Sequence, residues 1–536
     1  MPTEAPSSVL AFYATIYDAA SSAGGANPLL SPSEVSPAYA AAVCAYVWGL
    51  PLTSFWETQG QFISNPAFAP INHMYLAPSI DTSTEIVSPN TSVLYAQSWL
   101  DLHQTPFVVT YPDVDGIYNV LQIMDAYTNV QGSVGTHIDT GGEVVIYWSG
   151  ASYASEVEAL YPDAIALETP QAWLLGRIAV DAYAVPQENG VAETPYQETA
   201  NGSAASPLAL WRIQDLLQSY TLEPVPGIDP GTDPLQPSGV TVSAREIYAG
   251  DPANVDAAAT AYFTHLAQAV HANGLLVSYS GAVNGELGPD ATLYDQTALF
   301  TRFGLIGLTA DGYDPPAAFR DSIDAGFAAA SQVVDTLGLS SQPSAAENFW
   351  TVATSLGQYE PSYKGWIVGA VTANVGLGAN LAIDGTYPQT SVDSNGQPLN
   401  GTNHYQISFG TDLPPVQNGF WSVTVYDAET RAIVPTTGNT YYYTEEIGGV
   451  YALGSIQFAA DAGPITLYLQ SDAPTDPELY PYWLPVPDAK DFYLVMRLYD
   501  PVPANTDGIP SVLNPYQPST PGDDSPQWIP PGVELM

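Results

Sequence analysis

Apolar and polar positions alternate with two different periods along this chain, and the period changes several times. At about residues 34 to 60, "SEVSPAYAAAVCAYVWGLPLTSFWETQGQF" is rich in alanine and predicts a helix with a Gly-Leu-Pro interruption at Gly49 to Pro51. The texture then shortens. "TSVLYAQSWLDL", "PFVVTYPDV", "GIYNVLQIMDAY" and "EVVIYWSG" are β-branched or aromatic runs divided by Gly, Pro and Asp, and they predict strands up to "AWLLGRIAVDAY" near residue 183.

From about 185 to 245 the chain is rich in Pro, Gly and Thr, with one helix predicted at "SPLALWRIQDLLQSY". Two clear helices follow. In "DPANVDAAATAYFTHLAQAVHANG" Asp251 caps, Pro252 suits the first turn and Gly274 marks the exit, while Val255, Tyr262, Leu266 and Ala269 form an apolar stripe. "DPPAAFRDSIDAGFAAASQVVDTLGL" repeats the device from Asp314 to Gly338. After Asn348 strands return in "HYQISFG", "FWSVTVYD", "VYALGSIQFA", "PITLYLQ" and "DFYLVMRLYDP".

One of these strands is covered on both sides. In "NGFWSVTVYD" Trp421, Val423 and Val425 point one way, Phe420, Ser422, Thr424 and Tyr426 the other, and Asp427 opens the closing turn. Such a strand belongs inside a sandwich or under a partner surface. The pattern as a whole predicts a mainly β protein with helical additions: two β-sandwich domains joined by an α-helical segment. The expected division is an N-terminal helical segment (1–60), a first sandwich (61–185), an irregular and helical connection (186–345), a second sandwich (346–505) and a Pro-rich tail (506–536) that is extended, wrapping or mobile.

A length of 536 residues supports two or three domains, and no run of about 18 apolar residues predicts a membrane-spanning helix. The N-terminus lacks the basic start and cleavage pattern of a secretory signal. The net charge of −46 arises from 55 acids, an ordinary number, against only nine basic residues, of which two are lysines, Lys364 and Lys490. Such a chain repels nucleic acid and anionic membranes. Lysine depletion fits an extracellular or surface setting. A single cysteine, Cys44, excludes an internal disulfide and a Cys-based zinc site, and its neighbours make it a core residue.

Candidate chemistry is sparse. His265 and His271, six apart on one helix, do not converge, and the remaining histidines stand alone in sequence, so no metal site is expected. "WLDLH" sets Asp101 beside His103 on one side of a strand, and "IMDAYTN" sets Asp125, Tyr127 and Asn129 on one face. With His137, the residues Asp101, Asp125 and Tyr127 form a candidate acid–base set; the competing reading of Asp125 is a strand end whose polar groups bind neighbouring backbone. Arg177 and Arg497 stand out because arginine is scarce: each is either a structural partner of a buried group or an anion binder. Trp421 and the dense aromatic patches "TYYYTEE" and "ELYPYWLP", with Tyr442 and Trp483, are candidate surfaces for sugar rings or partner chains. Calcium has possible ligands in the acidic loops "PDVDG" and "DSNGQ". No phosphate loop, dinucleotide fingerprint, nucleophile elbow or His-Glu-x-x-His occurs.

Several phrases together carry a family resemblance. "NVGLGAN", "GQPLNGTNHYQISF", "LPPVQNGFWSVTVYD", "ITLYLQSDAP" and "YWLPVPDAKDFYLVMRLYDP" resemble the family known as domain of unknown function 1214; "SPNTSVLYAQSWLDL", "PFVVTYPDVDGIYNVLQIMDAYTNVQGSVGTH" and "WLLGRIAVDAY" resemble its companion, 1254. The resemblance implies two jelly-roll-like sandwiches with helical additions, often oligomeric, and brings no assigned activity. Where its pattern places an acid, an arginine and a second arginine, this chain has Ser92, His137 and Gly369. The expected function is binding of carbohydrate or self-assembly outside the cell, with a glycan or small polar ligand as partner. A hydrolase or lyase at an interdomain cleft and a capsid-like structural component are the alternatives.

Overall fold

A computed structural model describes residues 9–23, 26–78, 90, 92–112, 118–136, 141–179, 216–228, 230–276, 296–339, 348–353, 356–411, 413–417, 419–434, 442–444, 449–452, 455–459, 464–504, 510–513 and 527–536. Strand accounts for 26 % and helix for 33 % of the described residues, so the sheet-rich reading holds with a larger helical share than additions to a β protein would give.

The first sandwich pairs a five-stranded sheet with a four-stranded one. The five-stranded sheet runs Tyr75–Leu76, Val93–Asp101, Gln171–Ala179, Asn119–Asp125, Val130–Gly135 in spatial order. The four-stranded sheet runs Ile165–Leu167, Gly142–Trp148, Phe107–Tyr111, Thr221–Pro224. Its last strand therefore comes from beyond residue 185. Period two decides what each face meets. On the central strand Gln171–Ala179, Ala172, Leu174 and Ile178 pack in the core with Phe107, Val109, Val144 and Ile146 of the facing sheet. Trp173 and Leu175 lie on the opposite face, in a separate core shared with the helices, and Arg177 continues that outer row.

That separate core is a helical bundle around Pro37–Ser64, which packs against Val9–Ser22, Val255–Asn273, Arg320–Leu339 and Tyr363–Gly376. Ser36 caps the central helix through the Tyr39 amide, and its apolar residues are buried on every side, as a helix with no polar face requires. The helix is long and apolar enough to cross a membrane by composition alone, but 94 % of that window is buried inside the protein. The interruption expected at Gly49 to Pro51 does not occur. The helix runs through Pro51, with the Thr53 hydroxyl donating to Gly49 O at 2.9 Å, because neighbours on all sides keep it continuous past the missing N–H. Gly49 has a packing role: a Cβ there would lie 2.5 Å from Leu266 Cδ2 on the facing helix. Cys44 is buried, as expected, and burial pushes its thiol up.

The second sandwich has a seven-stranded sheet and a four-stranded one. Strands Phe420–Asp427 and Phe492–Tyr499 pair in register, Ser422 opposite Arg497 and Tyr426 opposite Tyr493. Trp421, Val423 and Val425 fill the core against Ile407, Phe409, Ile465 and Leu467. The other face turns toward the first sandwich: Phe420 and Tyr499 join that domain's core beside Tyr118. The end of the chain is fixed, with Glu534–Leu535 pairing along Tyr405–Gln406 and Trp528 and Val533 inside the core.

Candidate functional site

The outer row of the first sandwich ends at Arg177, 6 % exposed, between Tyr95 and Val120 on the neighbouring strands. Its guanidinium donates to Gln122 Oε1, to Asn380 Oδ1 (2.6 Å) and to Gly378 O (2.6 Å), and lies 5.6 Å over the Tyr95 ring. Gly378 and Asn380 belong to "GLGAN", just after the helix Tyr363–Gly376; Gly378 takes φ 77° there, and a Cβ would sit 2.9 Å from Leu175 Cδ2, so glycine lets this loop press on the sheet. Among the described residues the hydrogen-bond partners of Arg177 are three neutral oxygens, which occupy three of its five N–H donors.

Arg497, 4 % exposed, comes to the same junction from the second sandwich. It donates to Thr424 Oγ1 (3.0 Å) and Tyr426 OH (2.7 Å) and lies over the Tyr426 ring. Tyr387 and Tyr499 link the two arginines. Burial raises the Tyr387 phenol, and the charges of both Arg177 and Arg497 pull it back down. Burial likewise pushes Tyr499 up against the pull of Arg497. Asn90 donates to Tyr499 OH, Tyr387 OH accepts from Asn380, and Ser92 Oγ lies 3.5 Å from Ser422 Oγ across the interface. Asn90, Tyr95 and Tyr387 are half-buried and mark the side on which this cluster meets solvent.

The candidate acid–base set does not assemble here. Asp101 accepts from His103 Nδ1 (2.7 Å), His103 N (3.1 Å) and Gln236 N (2.6 Å) at the far end of the sheet, fastening the segment after residue 230. Asp125 ends its strand, so Tyr127 and Asn129 do not continue one strand face; they lie in a tight turn with Thr128 at φ 63°. The Asp125 carboxylate receives Tyr127 N, Asn129 N, Asn129 Nδ2 and Gln131 Nε2, and burial still raises its pKa to about 6. Tyr127 donates to Gly274 O at 2.9 Å, tying the turn to a helix end. His137 lies outside the described residues.

Of the aromatic candidates, Trp421 is fully buried beside Phe409 and offers no surface. Trp483 is half-buried and donates to Gln470 O at 2.9 Å. Tyr442 starts a strand at the end of the seven-stranded sheet, and its side chain lies outside the described ones. Among the described residues no three His, Cys, Asp or Glu side chains are grouped to hold a metal. In "DSNGQ" Asp393 caps its own turn through Asn395 N and Gln397 N; most of "PDVDG" lies outside the described residues. Gly369, at the position of an expected arginine, packs against Tyr359 and Pro51.

The sequence singled out both arginines but not Asn90, Asn380 and Tyr387 around them. The signal was present, since the phrases "SPNTSVLY", "GLGAN", "SVTVYD" and "VMRLYD" all supply residues to this one junction.

A crystal structure of the VPA0106 protein from Vibrio parahaemolyticus aligns with a TM-score of 0.55 at 17 % identity, covering 93 % of this chain and 100 % of that one, and shows a shared fold. A crystal structure of a putative uncharacterized protein from Burkholderia cenocepacia aligns at 12 % identity and a TM-score of 0.35 over 98 % of this chain and 96 % of that one. No curated protein matches. Residues 70–197 match the family described as protein of unknown function DUF1254 and residues 384–503 the one described as protein of unknown function DUF1214, so the chain carries this pair in N-terminal to C-terminal order.

Proposed function

We propose that the protein binds a small polar anion, a carboxylate with hydroxyl groups such as an acidic sugar, at the junction of its two sandwiches. The observation that carries this reading is Arg177: a buried guanidinium, in a chain with nine basic residues, whose described partners are all neutral. A buried cation whose described hydrogen-bond partners are neutral oxygens suits an anion, because the ligand supplies opposite charge in a bidentate geometry. Tyrosine hydroxyls and the Asn90 amide around it suit the hydroxyls of such a ligand. The reading keeps the carbohydrate-binding expectation and moves it from the aromatic surface patches to the domain junction. Each sandwich is also read as jelly-roll-like, since in the first one the chain passes repeatedly between the two sheets.

The test is calorimetric titration with a panel of uronic acids, hydroxy-carboxylates and inorganic phosphate. Saturable binding that weakens at least tenfold in Arg177→Met supports the site. Absence of binding across the panel, or an unchanged Kd in a folded Arg177→Met protein, overturns it.

A further inference from the structure

A second polar constellation lies in the helical bundle, on the outer side away from the junction. Glu57, on the central helix, is almost buried, and its carboxylate receives Ala244 N at 2.9 Å and His265 Nδ1 at 2.7 Å. Placing a carboxylate here costs desolvation, offset by those two donors, and the result is an imidazole fixed in one orientation. With Nδ1 engaged by Glu57, Nε2 is the ring nitrogen left to meet a ligand.

His265 lines an open groove of about 510 Å³ with Trp56, Thr241 and Gln268. A second groove of about 310 Å³ shares Trp56, Pro237 and Gln268 and adds His271 and Asp311. These sizes are those of small-molecule sites. The facing wall, residues 236 to 242, is built rather than loose. Gln236 is held by Asp101 and Gln171, and Ser238 N donates to Gln59 Oε1 at 2.8 Å. At Gly60 a Cβ would come within 2.3 Å of Val240 O, so helix and wall meet backbone to backbone.

We infer that this groove is a second ligand site, taking a neutral hydroxyl-bearing ring compound, a mono- or disaccharide, with a hydroxyl hydrogen-bonded to His265 Nε2. No lysine or arginine lines either groove, and an acidic residue, Asp311, lines the second, which disfavours the anions that suit Arg177. A fixed ring nitrogen at His265, the Gln268 amide and the Thr241 hydroxyl match the donors and acceptors of a sugar ring.

Titration with a panel of neutral mono- and disaccharides, followed by saturation-transfer NMR and calorimetry, tests the site. The expected result is saturable binding that falls at least tenfold in His265→Asn, whose amide still donates to Glu57 but has no atom at the Nε2 position, and in Gln268→Ala. The same binding is expected unchanged in Arg177→Met, which separates this site from the junction. Absence of binding by every panel member, or an unchanged Kd in His265→Asn with an unaltered melting temperature, overturns the inference. If His265→Asn does not fold, the exposed Gln268→Ala and Thr241→Val variants decide: a shared loss of affinity supports the groove, and wild-type Kd in both overturns it.

Discussion

Asp125 is a carboxylate enclosed by protein, clamping a turn whose Thr128 has left-handed backbone geometry. Four donors favour its charged form, yet burial outweighs them and lifts its pKa to about 6. The sign follows. A folded-state pKa above the unfolded value means that the folded protein binds this proton more readily, so the contribution is full below about pH 4 and is lost as pH rises through 6. In urea titrations at pH 4 and pH 7, wild type should therefore lose stability relative to Asp125→Asn by up to about 3 kcal/mol. An offset between the two proteins that does not vary with pH would show that the donors, not burial, control the group. Arg177 is the other residue whose surroundings have a consequence. Arg177→Lys should not restore anion affinity to Arg177→Met, because an ammonium cannot reproduce the planar fork bonded to Gln122, Asn380 and Gly378 O.

Two glycines on the central helix face very different obstacles. Gly49 would meet the end of the flexible Leu266 side chain, which can turn aside; Gly60 would meet the backbone of Val240, which cannot. Gly60→Ala should therefore cost more than Gly49→Ala, on the order of 2 to 3 kcal/mol against about 1 or less, read from denaturant midpoints. Strand faces were legible in the sequence because period two is local: Trp421, Val423 and Val425 face the core, and Thr424 and Tyr426 face the junction together with Arg497. The continuous helix through Pro51 was not legible, since what keeps it whole is packing from helices more than 190 residues away in sequence. Of the two readings of "IMDAYTN", the strand end whose polar groups bind neighbouring backbone is the one that fits: Asp125 closes its strand and accepts from Tyr127 N and Asn129 N, while the turn beyond it imitates period two for a few residues.

Across the whole molecule the junction was the least legible part. It joins residues from strands and loops as distant as Asn90 and Tyr499, and only the shared location of the family phrases hints at it. The chain's closing segment is structural: Trp528→Ala should cost about 3 to 5 kcal/mol, seen as a lowered melting temperature, because its ring is 5 % exposed in the second core. Self-repulsion from a net charge of −46 should make that melting temperature rise between very low salt and about 0.15 M salt, where the screening length falls to about 8 Å. The central bundle helix has a further consequence for biosynthesis. Residues 37–64 leave the ribosome roughly 300 residues before Tyr363–Gly376 exists to cover them, an interval of about 15 to 60 s at ordinary translation speeds. Until then the helix is covered only in part, by Val9–Ser22 and later by Val255–Asn273 and Arg320–Leu339, so a stretch of apolar surface stays open to water during synthesis.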